Sequence, residues 1–251
     1  MQDNATDFAK AYRTSRLGFF LLASGLVVVC AVDVPALVCR LMGQATLIQF
    51  WTWMRESGVS RLVSAAAPWT TLAGSALLWA AWDSPRWRRL AGVLMTMCLF
   101  DVGSWFLNLG DPDARRPDAY LRYQIGAALG WAQFALLATL SGEMLTHLGE
   151  ESAGDTTKST RSLAATGAVL WVLLFFETTD LRAGWPLRPN MWMSPHGYLL
   201  RVASDVIHAI CLLQATGLVV AAFGRLHREV PRAEEEATGA VDPREFDDMP
   251  R

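Results

Sequence analysis

Charge is scarce in this chain and unevenly spread. Only 18% of its 251 residues are Asp, Glu, Lys or Arg, and none falls between Leu62 and Trp82. A soluble helix keeps a polar face against water, so that gap excludes an ordinary soluble helical domain. Cysteine is scarce too. Cys30, Cys39, Cys98 and Cys211 all lie inside apolar stretches, where a thiol behaves as a small hydrophobe. That placement excludes an extracellular disulfide framework and leaves the redox compartment open. The four histidines form no His-x-x-x-His or Glu-x-x-His pair within an apolar stretch. No Ser–His–Asp signature, phosphate-binding loop or Cys-x-x-Cys pair occurs. The net charge is −2 and no basic patch is long, which excludes a nucleic-acid partner. No internal repeat is visible, which argues against an inverted-repeat transporter.

Apolar length is what the chain has. Hydrophobic residues make up 52% of it and mean hydropathy is +0.23. Six stretches stand out: Leu17–Cys39, Leu62–Trp82, Leu90–Gly110, Tyr123–His147, Ser162–Thr179 and Tyr198–Gly224. Each approaches the roughly 20 residues that a helix needs to cross hydrocarbon. The fold class expected is therefore all-α: a polytopic integral membrane helical bundle with about six transmembrane helices. Between Arg40 and Arg55 lies the uncharged run "LMGQATLIQFWTWM". It is too short to span and rich in aromatics, so it reads as an interfacial or re-entrant segment after the first span. Residues 1–16 form a polar leader, 17–224 the six-helix domain, and 225–251 an acidic tail expected to be disordered. The first apolar run continues through Asp33, Pro35 and Arg40, so an uncleaved span is expected rather than a signal peptide.

Basic residues set the orientation. On the side holding both termini there are 13: three in the leader, Arg86, Arg88, Arg89, Lys158, Arg161 and five in the tail. The other side has 9, among them Arg40, Arg122 and Arg201. Positive-inside logic places both termini in the cytoplasm, with the chain in the cell's inner membrane. Trp51, Trp53, Trp185 and Trp192 then fall at the outer surface as an aromatic belt.

Polar residues inside the spans are the functional candidates, because charge in hydrocarbon is expensive. They are Asp33, Asp101, Asn108, Arg201, Asp205 and His208, with Glu177 at a span end. All are expected in the half of the bundle away from the termini; Glu143 breaks the pattern. Asp101, Trp105 and Asn108 share one helical face, as do Arg201, Asp205 and His208. Both stripes should face the interior or a water-filled cavity. Pro35 frees the carbonyl of Ala31 beside Asp33. Asp205 and His208 with Asp101, Asp33 or His196 could supply metal ligands, but the histidine spacing points to no metal, and the depths of His147 and His208 exclude a bis-histidine haem. No cofactor is identifiable. The spacing Gly126-x-x-x-Gly130 reads as a close helix contact, within one chain or between subunits.

Three functions fit these observations. The first is a cavity in the outer half that binds or conducts a small cation, proton or polar solute. The second is a non-catalytic accessory subunit of a larger membrane complex. The third is an embedded enzyme using Asp101 or Asp205 with His208 as acid and base. A non-enzyme is preferred. The partners implied are the lipid bilayer and either a homo-oligomer or a larger complex.

Overall fold

The computed structural model describes residues 2–109, 117–179 and 194–238. They form seven helices: α1 (Gln2–Met42), α2 (Gln44–Glu56), α3 (Val59–Ala81), α4 (Pro85–Leu109), α5 (Pro117–His147), α6 (Ala153–Thr178) and α7 (Pro195–Thr238). Three of them, α4, α5 and α7, open on proline, whose missing N–H falls where a helix leaves its donors unpaired anyway. Gly43 (φ 129°) and Gly58 (φ 72°) flank α2. Both angles disfavour side chains, so glycine at these points lets the chain turn into and out of the short helix. Pro35 lies within α1 without ending it.

The protein is an all-α, multi-pass membrane bundle. Among the described residues α1, α4, α5, α6 and α7 are long and apolar enough to cross a membrane. The remaining expected span is α3, at 23 residues. The segment expected to be interfacial or re-entrant is α2, a 13-residue helix that buries Leu47 and Met54 and exposes Trp53. The tail expected to be disordered from Arg225 is helical as far as Thr238, since α7 does not stop at Gly224. Asp180, Trp185 and Trp192 lie outside the described residues.

The six long helices close into a ring in chain order, with α1 packed along α7 and α3, and with α5 also touching α7. Val93, Leu99, Val169, Val172, Phe176, Leu213 and Val220 point outward. Large apolar side chains facing out around a bundle suit hydrocarbon and not water. The apolar interior is concentrated toward the end that carries both termini, where Phe19, Leu22, Leu94, Leu140, Leu145, Leu212 and Leu226 are fully buried. Side-chain bonds tie this end together. The Trp82 indole donates to the Ser15 hydroxyl at 2.8 Å, Glu143 meets Arg86, and Glu150 meets Arg225. Hydrogen bonds from Arg225 and then Ser152 hold the Glu150 carboxyl below the usual carboxylate range. Glu143, the exception in the sequence pattern, thus belongs to an ion pair at the terminal end.

Close approach of α1 and α3 depends on glycine. A β-carbon on Gly74 would stand 2.8 Å from the Gly18 carbonyl oxygen and 3.0 Å from the Leu22 nitrogen. Both are backbone atoms and cannot rotate away. Gly74→Ala is expected to push the helices apart and cost about 1–3 kcal/mol, seen as a lower midpoint of thermal unfolding in detergent. Gly103→Ala, with nothing within 4 Å of the new carbon, should be neutral or stabilising by up to about 1 kcal/mol. Equal stability of the two variants would contradict this packing.

Candidate polar cavity between six helices

At the end of the bundle away from the termini the ring encloses a cavity of about 680 Å³. Its walls come from the last third of α1, the second half of α4, the first half of α5, the end of α6 and the start of α7, with Trp51 of α2 also on the lining. Five of the six residues singled out in the sequence line it: Asp33, Asp101, Arg201, Asp205 and His208. Asn108 lies on α4, with its side chain outside the described residues. Trp105 joins Asp101 on the lining, as their shared helical face requires.

Charges in the cavity are arranged in two layers. Toward the mouth, Asp205 stands between Arg40 of α1 and Arg201 of its own helix, one turn earlier. The Arg201 contact is 3.5 Å, and Arg201 also donates to the Tyr123 hydroxyl at 3.3 Å. The side chains of Arg40 and Asp205 are only 22% and 25% exposed, so the pair gains from reduced screening but requires its partners. Seven residues along α1 from Arg40, about 10 Å deeper at 1.5 Å per residue, Asp33 faces His208 of α7 at 3.4 Å. Edge-on rings of Trp131 and Phe134, at 5.5 and 5.1 Å, hold the imidazole in place. On the opposite wall Asp101 accepts a 2.6 Å hydrogen bond from the Gln133 amide of α5.

The floor is apolar. One turn toward the termini from Asp101, Gln133 and His208 sit Cys98, Leu137 and Leu212, all buried. The cavity is therefore a cup and not a channel through the bundle in this conformation.

Several of these residues escaped the sequence pattern. Arg40 and Arg122 read there as loop charges, yet both line the cavity. Arg40 stands seven residues from Asp33, a spacing that places the two on one helical face. Gln133 is uncharged and so did not register among the embedded ionisable groups. The Gly126/Gly130 pair makes no close helix contact within the chain. A β-carbon on Gly126 would come no nearer than 4.0 Å to Phe100, and one on Gly130 would meet nothing within 4 Å. The two glycines make room for the cavity rather than bringing helices together. A close contact on α5 occurs one residue further on, where the Trp131 ring lies against Gly167 of α6 so tightly that a β-carbon there would collide with it.

The chemistry of the site is that of paired charge beside open polar space. His208 faces Asp33 and not Asp205, so the acid–base couple of Asp205 with His208 is not formed; Asp205 is held by two guanidiniums. Among the described residues no group of three or more His, Cys, Asp or Glu side chains converges as metal ligands would. The chain matches no protein-family model, no curated protein and no solved structure. Fold and cavity together define a class: a multi-pass helical membrane protein with a charged cup in one half of its bundle.

The ion triad should behave as a unit. Asp205→Ala alone leaves two guanidiniums without their carboxylate in a partly buried place and is expected to cost about 1–3 kcal/mol; Arg40→Ala, which leaves Asp205 its Arg201 contact, should cost less. The double variant should lose less than the sum, by about 0.5–3 kcal/mol of coupling. Thermal unfolding of the three variants checks this. Strict additivity would mean that the two residues do not interact.

Proposed function

We propose that this protein binds a small polar solute in the cup. The observation that carries the reading is the convergence of Asp33, Asp101, Arg201, Asp205 and His208 from three helices onto one cavity. Embedded ionisable groups are retained where they contact a substrate, an ion or a proton path. The volume falls in the range of small-molecule pockets, about 300–1,000 Å³, and is large for a bare ion.

The balance of charge favours a solute with both hydrogen-bonding and charged groups over a simple cation. Asp33, Asp101 and Asp205 are set against Arg40, Arg122 and Arg201 in the same lining. Asp205 is matched by arginine at the mouth. That leaves Asp33 and Asp101 in the deeper layer to receive a cationic or hydrogen-bond-donating group. Trp105 and Trp131 also line the cavity, and aromatic rings in a pocket favour a cation. His208, beside Asp33, adds an imidazole that can donate or accept a hydrogen bond. The charge distribution of the loops supports a cup that opens away from the cytoplasm, with both termini inside.

Asp101→Asn keeps the shape and the Gln133 bond but removes the charge. Gly130→Leu fills the cup from a position where a side chain meets no neighbour. Purified protein should be screened by thermal shift against amino acids, sugars, dicarboxylates and polyamines. A compound that raises the unfolding midpoint of the wild type is expected to bind both variants at least about tenfold more weakly, a loss of roughly 1.4 kcal/mol. Unchanged affinity in Gly130→Leu would place the binding elsewhere and sink the reading.

A further inference from the structure

A second concavity, of about 470 Å³, lies at the terminal end, where the start of α1 crosses the end of α7. Its polar lining is Arg13, Thr14, Arg16 and His227; its apolar lining is Leu17, Phe20, Leu77 and Phe223. The two kinds of residue are ordered along the bundle axis. On α1, Arg13 and Phe20 are seven residues apart on one helical face, so the phenyl ring sits about 10 Å nearer the bundle centre. On α7, which runs the opposite way, His227 is again the residue nearer the terminal end and Phe223 lies one turn deeper. The Phe20 and Phe223 rings meet at 5.5 Å and form a continuous apolar strip between the helices.

Charge in this groove has one sign. No acidic residue lines it, and neither Arg13 nor Arg16 has an acidic partner among the described residues. Elsewhere at the same end arginines are matched: Arg86 by Glu143 and Arg225 by Glu150. Leu17 and Phe20 are about half exposed, so the strip is accessible from the side, where a bilayer would lie. A cationic head region above an apolar strip, at membrane-interface depth, complements an anionic amphiphile in both charge and direction.

We infer that this groove holds an anionic phospholipid, with the phosphate between Arg13 and Arg16 and the first methylenes along Leu17, Phe20 and Phe223. The site is independent of the solute cup and belongs to the leaflet on the side of the termini. Guanidinium pairs with phosphate oxygens through charge-assisted hydrogen bonds, and the acyl chain covers apolar surface that would otherwise meet only mobile lipid.

The test uses the full chain in a neutral detergent, with thermal unfolding followed as phosphatidylglycerol, phosphatidylcholine of the same chains, or inorganic phosphate is added. Phosphatidylglycerol should raise the midpoint by several degrees, phosphatidylcholine by less than half as much, and phosphate not at all. Arg13→Gln with Arg16→Gln should remove most of the phosphatidylglycerol shift. Lys10→Gln with Arg161→Gln, an equal loss of charge outside the groove, should keep it. If the groove double variant does not fold, Leu17→Glu, at a half-exposed position, should abolish the shift by placing a carboxylate in the groove. The inference is overturned if the groove variant keeps the full shift or if the control pair loses as much. It is also overturned if phosphate alone reproduces the effect or if both lipids act equally.

Discussion

Asp205 is held between Arg40 and Arg201, and this triad joins the first long helix of the bundle to the last. A carboxylate placed in an apolar environment is stable only if matched or hydrated. Arg201 comes from the same helix, whereas Arg40 comes from the far end of the sequence, so the full triad forms only once α1 and α7 are side by side. The requirement acts as a register lock. Sliding α1 along α7 by one turn would separate Arg40 from Asp205 and Asp33 from His208 together. Two charged layers, about 10 Å apart along the helices, are matched by the same pair of helices.

The bundle thereby divides into halves of different character. The half with the termini is an apolar core in which the buried leucines and phenylalanines interlock. The other half keeps open polar space, with charges matched across its walls. Dense packing resists deformation, whereas a polar cup can exchange partners with water or a solute. A solute reaching the cup meets a closed floor at Cys98, Leu137 and Leu212. Passage across the membrane would require those helices to part, and simple binding requires no such motion.

The fold class was legible because hydrocarbon imposes a length and a composition that sequence displays directly. The two polar stripes were legible for a similar reason: Asp101 with Trp105, and Arg201 with Asp205 and His208, repeat at helical spacing. What could not be read was the lateral arrangement. Nothing local says that Asp33 faces His208 or that Arg40 crosses to Asp205, since partners so distant along the chain are chosen by packing. Gln133 escaped because an uncharged amide in an apolar run resembles ordinary core decoration until its carboxylate partner is seen. Gly126 and Gly130 misled because the same small-residue spacing serves close helix contact and open space equally well. The helical continuation of α7 past Gly224 was hidden by acidic, proline-containing composition.

Residues from these helices face one polar cavity, which water must be able to enter if it binds a polar solute. In a variant with its four cysteines replaced by alanine, single substitutions Ser104→Cys, Gly130→Cys and Ser204→Cys would sit on the lining, and Val172→Cys on the outward face of α6. A thiol reacts as its thiolate and needs water to ionise. A membrane-impermeant maleimide applied to intact cells should modify the three lining positions and leave Val172→Cys unmodified. Lining cysteines that react no faster than Val172→Cys, even in opened membranes, would contradict a shared aqueous cup.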